Sequence, residues 1–176
     1  MNEKFDKYMK LVLKRNEEIN LTAITDPEEF MVKHFEDSIS IIEYPEYIGA
    51  KNIMDLGTGA GFPGVPLAIS SDDKQFILVD SLNKRLKVIE EFCTQLDINN
   101  VKTVHGRAEE LARNKEYGDS FDLVVSRAVA AMPTLAEYAL PFVRKGGFFV
   151  AVGGIFFKFQ IKRQTVNIFS IVHKFL

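Results

Sequence analysis

An α/β fold, a mostly parallel sheet with helices on both faces, is predicted for this chain by two patterns and one motif. Short apolar runs recur at 52–56, 76–80, 101–105, 121–126 and 147–152. Helical stretches such as Asn83–Leu96 and Met132–Val143 separate them, the alternation that covers a parallel sheet. The motif is Asp55-Leu56-Gly57-Thr58-Gly59-Ala60-Gly61-Phe62-Pro63-Gly64, placed between the first run and a helix start at Val65-Pro66-Leu67-Ala68-Ile69. A glycine turn there aims backbone N–H groups and a helix N-terminus at a nucleotide-like ligand.

Composition narrows the class. At 176 residues and 47% hydrophobic content the chain is long enough to bury one proper core. Its single cysteine, Cys93, cannot pair within the chain, and no secretory signal opens the sequence, so a cytoplasmic protein is expected. The nearly apolar run Gly146–Phe157 contains four glycines and is shorter than a membrane span, so it reads as a strand with its flanks and no membrane partner is expected. With a formal net charge of −2, nucleic-acid binding has to rest on a local patch.

The first element is an amphipathic helix over residues 3–19. Phe5, Met9, Val12 and Ile19 share one side, and Lys4, Lys7, Lys10 and Lys14 form a stripe on another. The stripe reads either as a solvated face or as a phosphate-contacting one. Asn20-Leu21-Thr22 closes that helix, and Thr25-Asp26-Pro27-Glu28-Glu29 is a start signal for a second one, from about Glu28 to Ile42. It carries His34, Asp37 and Ser38 on one face; two such residues fall short of a metal site, so no metal is expected, and His34 reads as a structural histidine bonded to a polar neighbour. Pro45 is expected to end the segment.

Right-handed crossovers place every strand's C-terminal end on one edge, so polar residues there are the site candidates. Asp80 ends the second strand about twenty residues beyond the glycine loop, where a carboxylate can bind ribose hydroxyls. His105-Gly106-Arg107-Ala108-Glu109-Glu110 follows the third strand and Ser126-Arg127-Ala128 the fourth. Asp80 as a helix cap and Arg127 as a surface ion-pair partner are the bland alternatives; together the group favours a nucleoside-containing ligand across the edge. Gly59, Gly61 and Gly64 also match a dinucleotide register, a weak motif alone. The acid that opens the motif, Asp55, favours S-adenosylmethionine, which has no pyrophosphate to cradle and tolerates a carboxylate beside the loop, near its sulfonium.

Six motifs in order, Asn20-Leu21-Thr22, His34-Phe35-x-Asp37-Ser38, the glycine loop, Asp80-Ser81-x-x-Lys84-Arg85, Gly106-Arg107-Ala108-Glu109 and Ser126-Arg127-Ala128, resemble the bacterial small-subunit ribosomal RNA guanine-N7 methyltransferases, also called the glucose-inhibited division protein B family. The resemblance runs from the start to about Ala151. It implies a Rossmann-like class I S-adenosylmethionine-dependent methyltransferase, a monomer acting on ring nitrogen 7 of a guanine in small-subunit (16S) ribosomal RNA or the 30S particle. It also implies cofactor contacts from Gly57, Phe62, Ala108, Glu109 and Arg127, with Asp80 a ribose ligand and Gly59 and Gly61 in the loop. No general base is needed, because that nitrogen carries a free lone pair, and no catalytic residue is assigned. The lysine stripe with Lys33, Lys84 and Arg85 is the candidate patch for RNA phosphates.

Three segments follow: a helical extension over 1–48, a methyltransferase core over 49–152, and a tail over 153–176 without a motif of that family. From Ile155 onward no acidic residue occurs. Ile155–Ile161 and Val166–Val172 are strand-like and predict either a replacement hairpin on the sheet edge or a poorly ordered, aggregation-prone tail. The competing functional readings are a binding remnant inactivated by that tail and a dinucleotide-dependent oxidoreductase.

Overall fold

A computed structural model describes residues 3–127 and 131–152, and the backbone of residues 156–162 and 165–171. Seven strands form one sheet in the order β3-β2-β1-β4-β5-β6-β7. The first five are parallel: β1 (Asn52–Leu56), β2 (Gln75–Asp80), β3 (Val101–His105), β4 (Phe121–Ser126) and β5 (Val143–Ala151). β6 (Phe156–Lys162) and β7 (Thr165–Ile171) add an antiparallel hairpin, with Phe148 opposite Gln160 and Ala151 opposite Phe157. Of the two outcomes predicted for the tail, the backbone adopts the hairpin, which pairs the β5 edge.

Strand alternation sorts the apolar side chains into two cores. Ile53, Leu78, Leu123, Val125 and Val150 face α5 (Gly64–Ile69) and α6 (Asn83–Gln95) in one core. Met54, Leu56, Val79, Val124 and Phe149 face α8 (Met132–Ala139) in the other. The N-terminal helix α1 (Glu3–Asn16) belongs to the first core through Phe5, Tyr8, Met9 and Val12. The extension therefore shares the main core, and burying these four side chains stabilises by roughly 1.5–3 kcal/mol each. Tyr8, fully buried, was absent from the predicted face.

Three boundaries differ from expectation. α1 stops at Asn16, whose side-chain Oδ1 accepts from the N–H groups of Leu21 and Thr22 while its Nδ2 donates to the Thr22 carbonyl, a local competitor to further helix. The second helix is a composite of α2 (Pro27–Phe30), a π-helical turn over Met31–Glu36 and α3 (Asp37–Ile39). In the π turn the Asp37 N–H reaches back five residues to the Val32 carbonyl, widening the helix where His34 and Phe35 turn inward. Pro45 opens the short α4 (Pro45–Ile48) rather than ending a segment, since a proline at the first helical position gives up only an N–H that has no partner there.

The chain reverses its direction of travel across the sheet at β1, which lies between β2 and β4. Crevices for ligands form outside the carboxyl ends of strands at such a switch point, and the Ser126 hydroxyl ties the ends of β4 and β1 by donating to the Leu56 carbonyl at 2.6 Å.

Candidate functional site

The glycine loop is held from within. Asp55, fully buried, accepts from the Thr58 hydroxyl at 2.6 Å and the Gly64 N–H at 2.8 Å through one carboxylate oxygen. Burial raises its pKa to about 6 against those two hydrogen bonds and the attraction of Arg127. The expectation that Asp55 stands beside the ligand is corrected: it lies behind the loop and sets its shape. The N–H groups of Gly57 and Thr58 donate to the Val79 carbonyl, those of Gly61 and Phe62 to the Thr58 carbonyl, and that of Gly59 to Asp80 Oδ2. These amides are spent inside the protein. The loop offers a ligand a smooth backbone surface, where a phosphate cradle needs free N–H groups.

Gly59 and Gly61 face opposite ways. Both have positive φ, +60° and +90°, where a side chain is strained. A Cβ on Gly59 would meet nothing within 4 Å, whereas one on Gly61 would lie 2.3 Å from the Tyr8 hydroxyl and 2.7 Å from Val65 Cγ2. Gly59 thus borders open space, and Gly61 lets α1 close on the loop, where the Tyr8 hydroxyl donates to the Ala60 carbonyl at 2.7 Å.

Two hollows flank the ridge made by Gly57 and Asp80. One, about 400 Å³, is lined by Leu21, Thr22, His34, residues 57–60, Phe62, Asp80–Leu82, Arg85 and Arg127. The other, about 290 Å³, is lined by Leu56, Gly57, Val79, Asp80, Ser81, residues 106–109 and Tyr138. Since Gly57, Asp80 and Ser81 border both, the hollows form one trough. Volumes of this size suit a small organic ligand.

Asp80 at the centre is nearly buried; Oδ1 accepts from the Leu82 N–H and Oδ2 from the Gly59 N–H, with Arg85 3.9 Å away. A carboxylate has about four lone-pair positions, so two remain for a diol. Asp80 bonds the N–H of Leu82, the residue before α6, and caps none of the helix's own N–H groups, which leaves the ligand reading open.

At the other end, Arg127 donates to the Lys33 carbonyl and to His34 Nδ1, both at 2.7 Å, and stands 3.8 Å from Asp37. Its guanidinium also lies 5.3 Å from the Phe62 ring centre, and Phe62 stacks on His34 at 4.4 Å, nearly parallel. Phe30, Phe35 and Tyr8 pack edge-on against Phe62. Burial first, and then the Arg127 charge, holds the His34 pKa at about 4, so the imidazole is neutral near pH 7. A structural histidine bonded to a polar group was expected; its partner is a residue predicted for the site itself.

Of the residues predicted to bind a cofactor, Gly57, Gly59, Phe62, Asp80 and Arg127 border the larger hollow, and Ala108 and Glu109 with Gly57 and Asp80 border the smaller. Gly61 borders neither. Thr22 and Ser81 stood in the sequence motifs without a site role, and Tyr138 was not named from sequence; a hydroxyl at a loop or helix position carries no periodic signal. Two of the four lysines of the stripe pair with acids of their own helix. Lys7 pairs with Glu3 and Lys10 with Asp6 one turn away, and Lys33 pairs with Glu29 in the same way. Among the described residues no cluster of three His, Cys, Asp or Glu side chains could hold a metal ion.

Comparison with known proteins follows the same lines. The family model described as rRNA small subunit methyltransferase G matches residues 1–174. Proteins named ribosomal RNA small subunit methyltransferase G from Clostridium tetani and Clostridium perfringens strain 13 are 47% and 48% identical over 150 and 152 residues. The matches cover 85% and 86% of this chain and 63% and 64% of those relatives, so the chain spans somewhat under two thirds of their length. Among solved structures, an O-methyltransferase from Bacillus cereus in complex with SAH superposes with a TM-score of 0.60 at 22% identity, over 83% of this chain and 66% of that one. The cofactor-bound Rv0187 from MTB gives 0.64 at 17% identity, over 86% and 65%. Likeness at this identity shows the class I methyltransferase fold alone.

Proposed function

We propose that this chain, which belongs to the rRNA small subunit methyltransferase G family, binds S-adenosylmethionine across the Gly57–Asp80 ridge and methylates ring nitrogen 7 of a guanine in small-subunit ribosomal RNA. The observation that carries the reading is the divided trough, with the Asp80 carboxylate at its centre, a hollow bordered by Leu56, Val79 and Ala108 on one side and Arg127 on the other. Asp80 suits the ribose. Leu56, Val79 and Ala108 offer an adenine ring an apolar bed, with Glu109 at its rim as an acceptor for an exocyclic amine. Arg127 complements the carboxylate of the methionine moiety.

The bound cofactor supplies an electrophilic methyl group. Guanine nitrogen 7 is already an acceptor with a lone pair, so the protein has no proton to remove. What the chain contributes is position: holding donor and acceptor in line in a partly dry cleft supplies on the order of 7 kcal/mol or more. His34, neutral and stacked on Phe62, supports Arg127 without adding a second cation where the product base gains positive charge. That nitrogen faces the deep major groove of A-form RNA, so the target guanine lies in an opened segment.

The oxidoreductase alternative is disfavoured by the loop amides of Gly57, Thr58, Gly59, Gly61, Phe62 and Gly64, whose internal bonds take up the N–H groups a pyrophosphate cradle would need. Among the described residues no helix is long and apolar enough to cross a membrane. Calorimetry with S-adenosylmethionine and with nicotinamide dinucleotide should give binding of the first alone. Transfer of labelled methyl from S-adenosylmethionine to unmodified small-subunit RNA, naked or in 30S particles, with mass mapping, should place the label on a guanine. Cofactor binding without transfer to either substrate would support the inactive-remnant reading; binding of the dinucleotide alone would remove the site assignment.

A further inference from the structure

Hydrogen-bond direction along one chain of side chains is fixed at its start. Arg127 is a donor only, so His34 Nδ1, 2.7 Å from its NH2, must accept. A neutral imidazole that accepts at Nδ1 carries its proton on Nε2, and Nε2 stands 2.8 Å from the Thr22 hydroxyl. His34 therefore donates to Thr22. The same hydroxyl oxygen accepts from the Ile24 N–H at 3.1 Å. With both lone pairs filled, the Thr22 hydroxyl can act only as a donor, and Thr22 lines the larger hollow. Its position is clamped by Asn16, which bonds both the Thr22 N–H and carbonyl.

We infer that Thr22 is a specificity-determining residue, donating to oxygen 6 of the guanine whose neighbouring nitrogen 7 is methylated. The inference rests on the guanine-N7 reading above. Nitrogen 7 by itself does not distinguish the purines: adenine presents the same acceptor, with an amine donor where guanine has oxygen 6. A methyl-transfer site that uses only nitrogen 7 needs a fixed donor beside it to select guanine. An adaptable hydroxyl would tolerate either base; one whose lone pairs are both occupied does not. Arg127, with its permanent charge, sets this polarity, and His34 and Asn16 are positioning residues that transmit and hold it.

The test uses the full chain with Thr22→Val, which keeps shape and removes the donor, and Thr22→Ser, which restores it. Affinity for S-adenosylmethionine is measured by calorimetry. Methyl transfer is measured on small-subunit RNA assembled by ligation with either guanine or 2-aminopurine at the mapped position; 2-aminopurine keeps nitrogen 7 and lacks oxygen 6. The expected result is a Thr22→Val chain that binds S-adenosylmethionine as wild type but loses about tenfold or more in kcat/KM on guanine RNA. On 2-aminopurine RNA it matches the wild type, and Thr22→Ser recovers most of the guanine rate. Equal losses on both RNAs overturn the inference, as does a matching loss of S-adenosylmethionine affinity, which would assign the donor to the cofactor's carboxylate. Absence of transfer by the wild-type chain removes the parent reading, and is seen before any variant is compared.

Discussion

Two glycines two residues apart should fail in different ways when given a methyl group. Gly59→Ala places its Cβ in open space, so the fold bears only the strain of a positive φ, about 1–2 kcal/mol. Gly61→Ala bears the same strain and also drives its Cβ to 2.3 Å from the Tyr8 hydroxyl and 2.7 Å from Val65 Cγ2. Tyr8 cannot swing aside, because it is fully buried and bonded to the Ala60 carbonyl. Overpacking adds about 1–3 kcal/mol and a broken buried hydrogen bond about 1 more. The total for Gly61→Ala, about 3–6 kcal/mol, is a large share of the roughly 5–15 kcal/mol that holds a domain folded. Urea unfolding gives the stabilities, and calorimetry gives S-adenosylmethionine affinity for whichever variant remains folded. Gly59→Ala should keep most of its stability and lose at least about tenfold in affinity, because the methyl group enters the trough. An unchanged affinity for Gly59→Ala would show that the ligand does not approach this face, and equal stabilities would refute the assigned α1 contact.

Other expectations concern charge. His34, held at about 4, is protonated in the unfolded chain below its ordinary 6.5, so its contribution to stability is lost as pH falls from 6.5 through 4. Asp55, raised to about 6, acts oppositely: its contribution is complete below the ordinary 3.8 and is lost as pH rises through 6. At roughly 1.4 kcal/mol per pKa unit the two slopes oppose one another, so relative to wild type His34→Gln should lose about 2 kcal/mol as pH rises from 4 to 6 in urea titrations; parallel profiles for the two chains would contradict the His34 assignment. In Arg127→Met, NMR titration should find the His34 pKa above its wild-type value, since the Arg127 charge is a cause of its depression; a further fall would place the cause elsewhere. Asp80→Asn should lower S-adenosylmethionine affinity by about 2 kcal/mol or more, since an amide turns a donor toward the Gly59 N–H or the diol; calorimetry at wild-type affinity would exclude Asp80 as the ligand.

How much was legible in the sequence depended on whether the signal was periodic. β1, β2 and β4 were readable because each is a largely buried apolar run, β3, an edge strand with no buried residue, was readable from its place in the strand-helix alternation, and the ligand edge followed from the handedness of the crossovers. Asp80 and Arg127 were found because strand ends can be counted. The role of Asp55 was not legible: a carboxylate before a glycine loop looks the same whether it faces the ligand or, as here, binds the Thr58 hydroxyl and the Gly64 N–H from behind. The π turn at Met31–Glu36 left no mark because its residues also suit an α-helix. The lysine stripe was visible, but its electrostatic meaning depended on Glu3 and Asp6, acids within the same helix that are one turn from Lys7 and Lys10. The hairpin was half legible, since alternating apolar residues predict strands without saying which edge they join.

The aromatic cluster gives these scattered residues a common reason. Phe62 leaves the glycine loop and is enclosed by Tyr8 from α1, Phe30 and His34 from the second helix, and the Arg127 guanidinium from the end of β4. A charge that deep needs compensation, and Asp37 at 3.8 Å and the Lys33 carbonyl supply part of it. A second cation would undo that balance, so His34 is confined to its neutral form and, accepting from Arg127, to one tautomer. The N-terminal helices are in this way part of the site. They enclose the ring of the loop, hold the arginine, and through it orient the Thr22 hydroxyl at the rim of the trough. A loop and an arginine on the sheet alone would supply the charge without the direction.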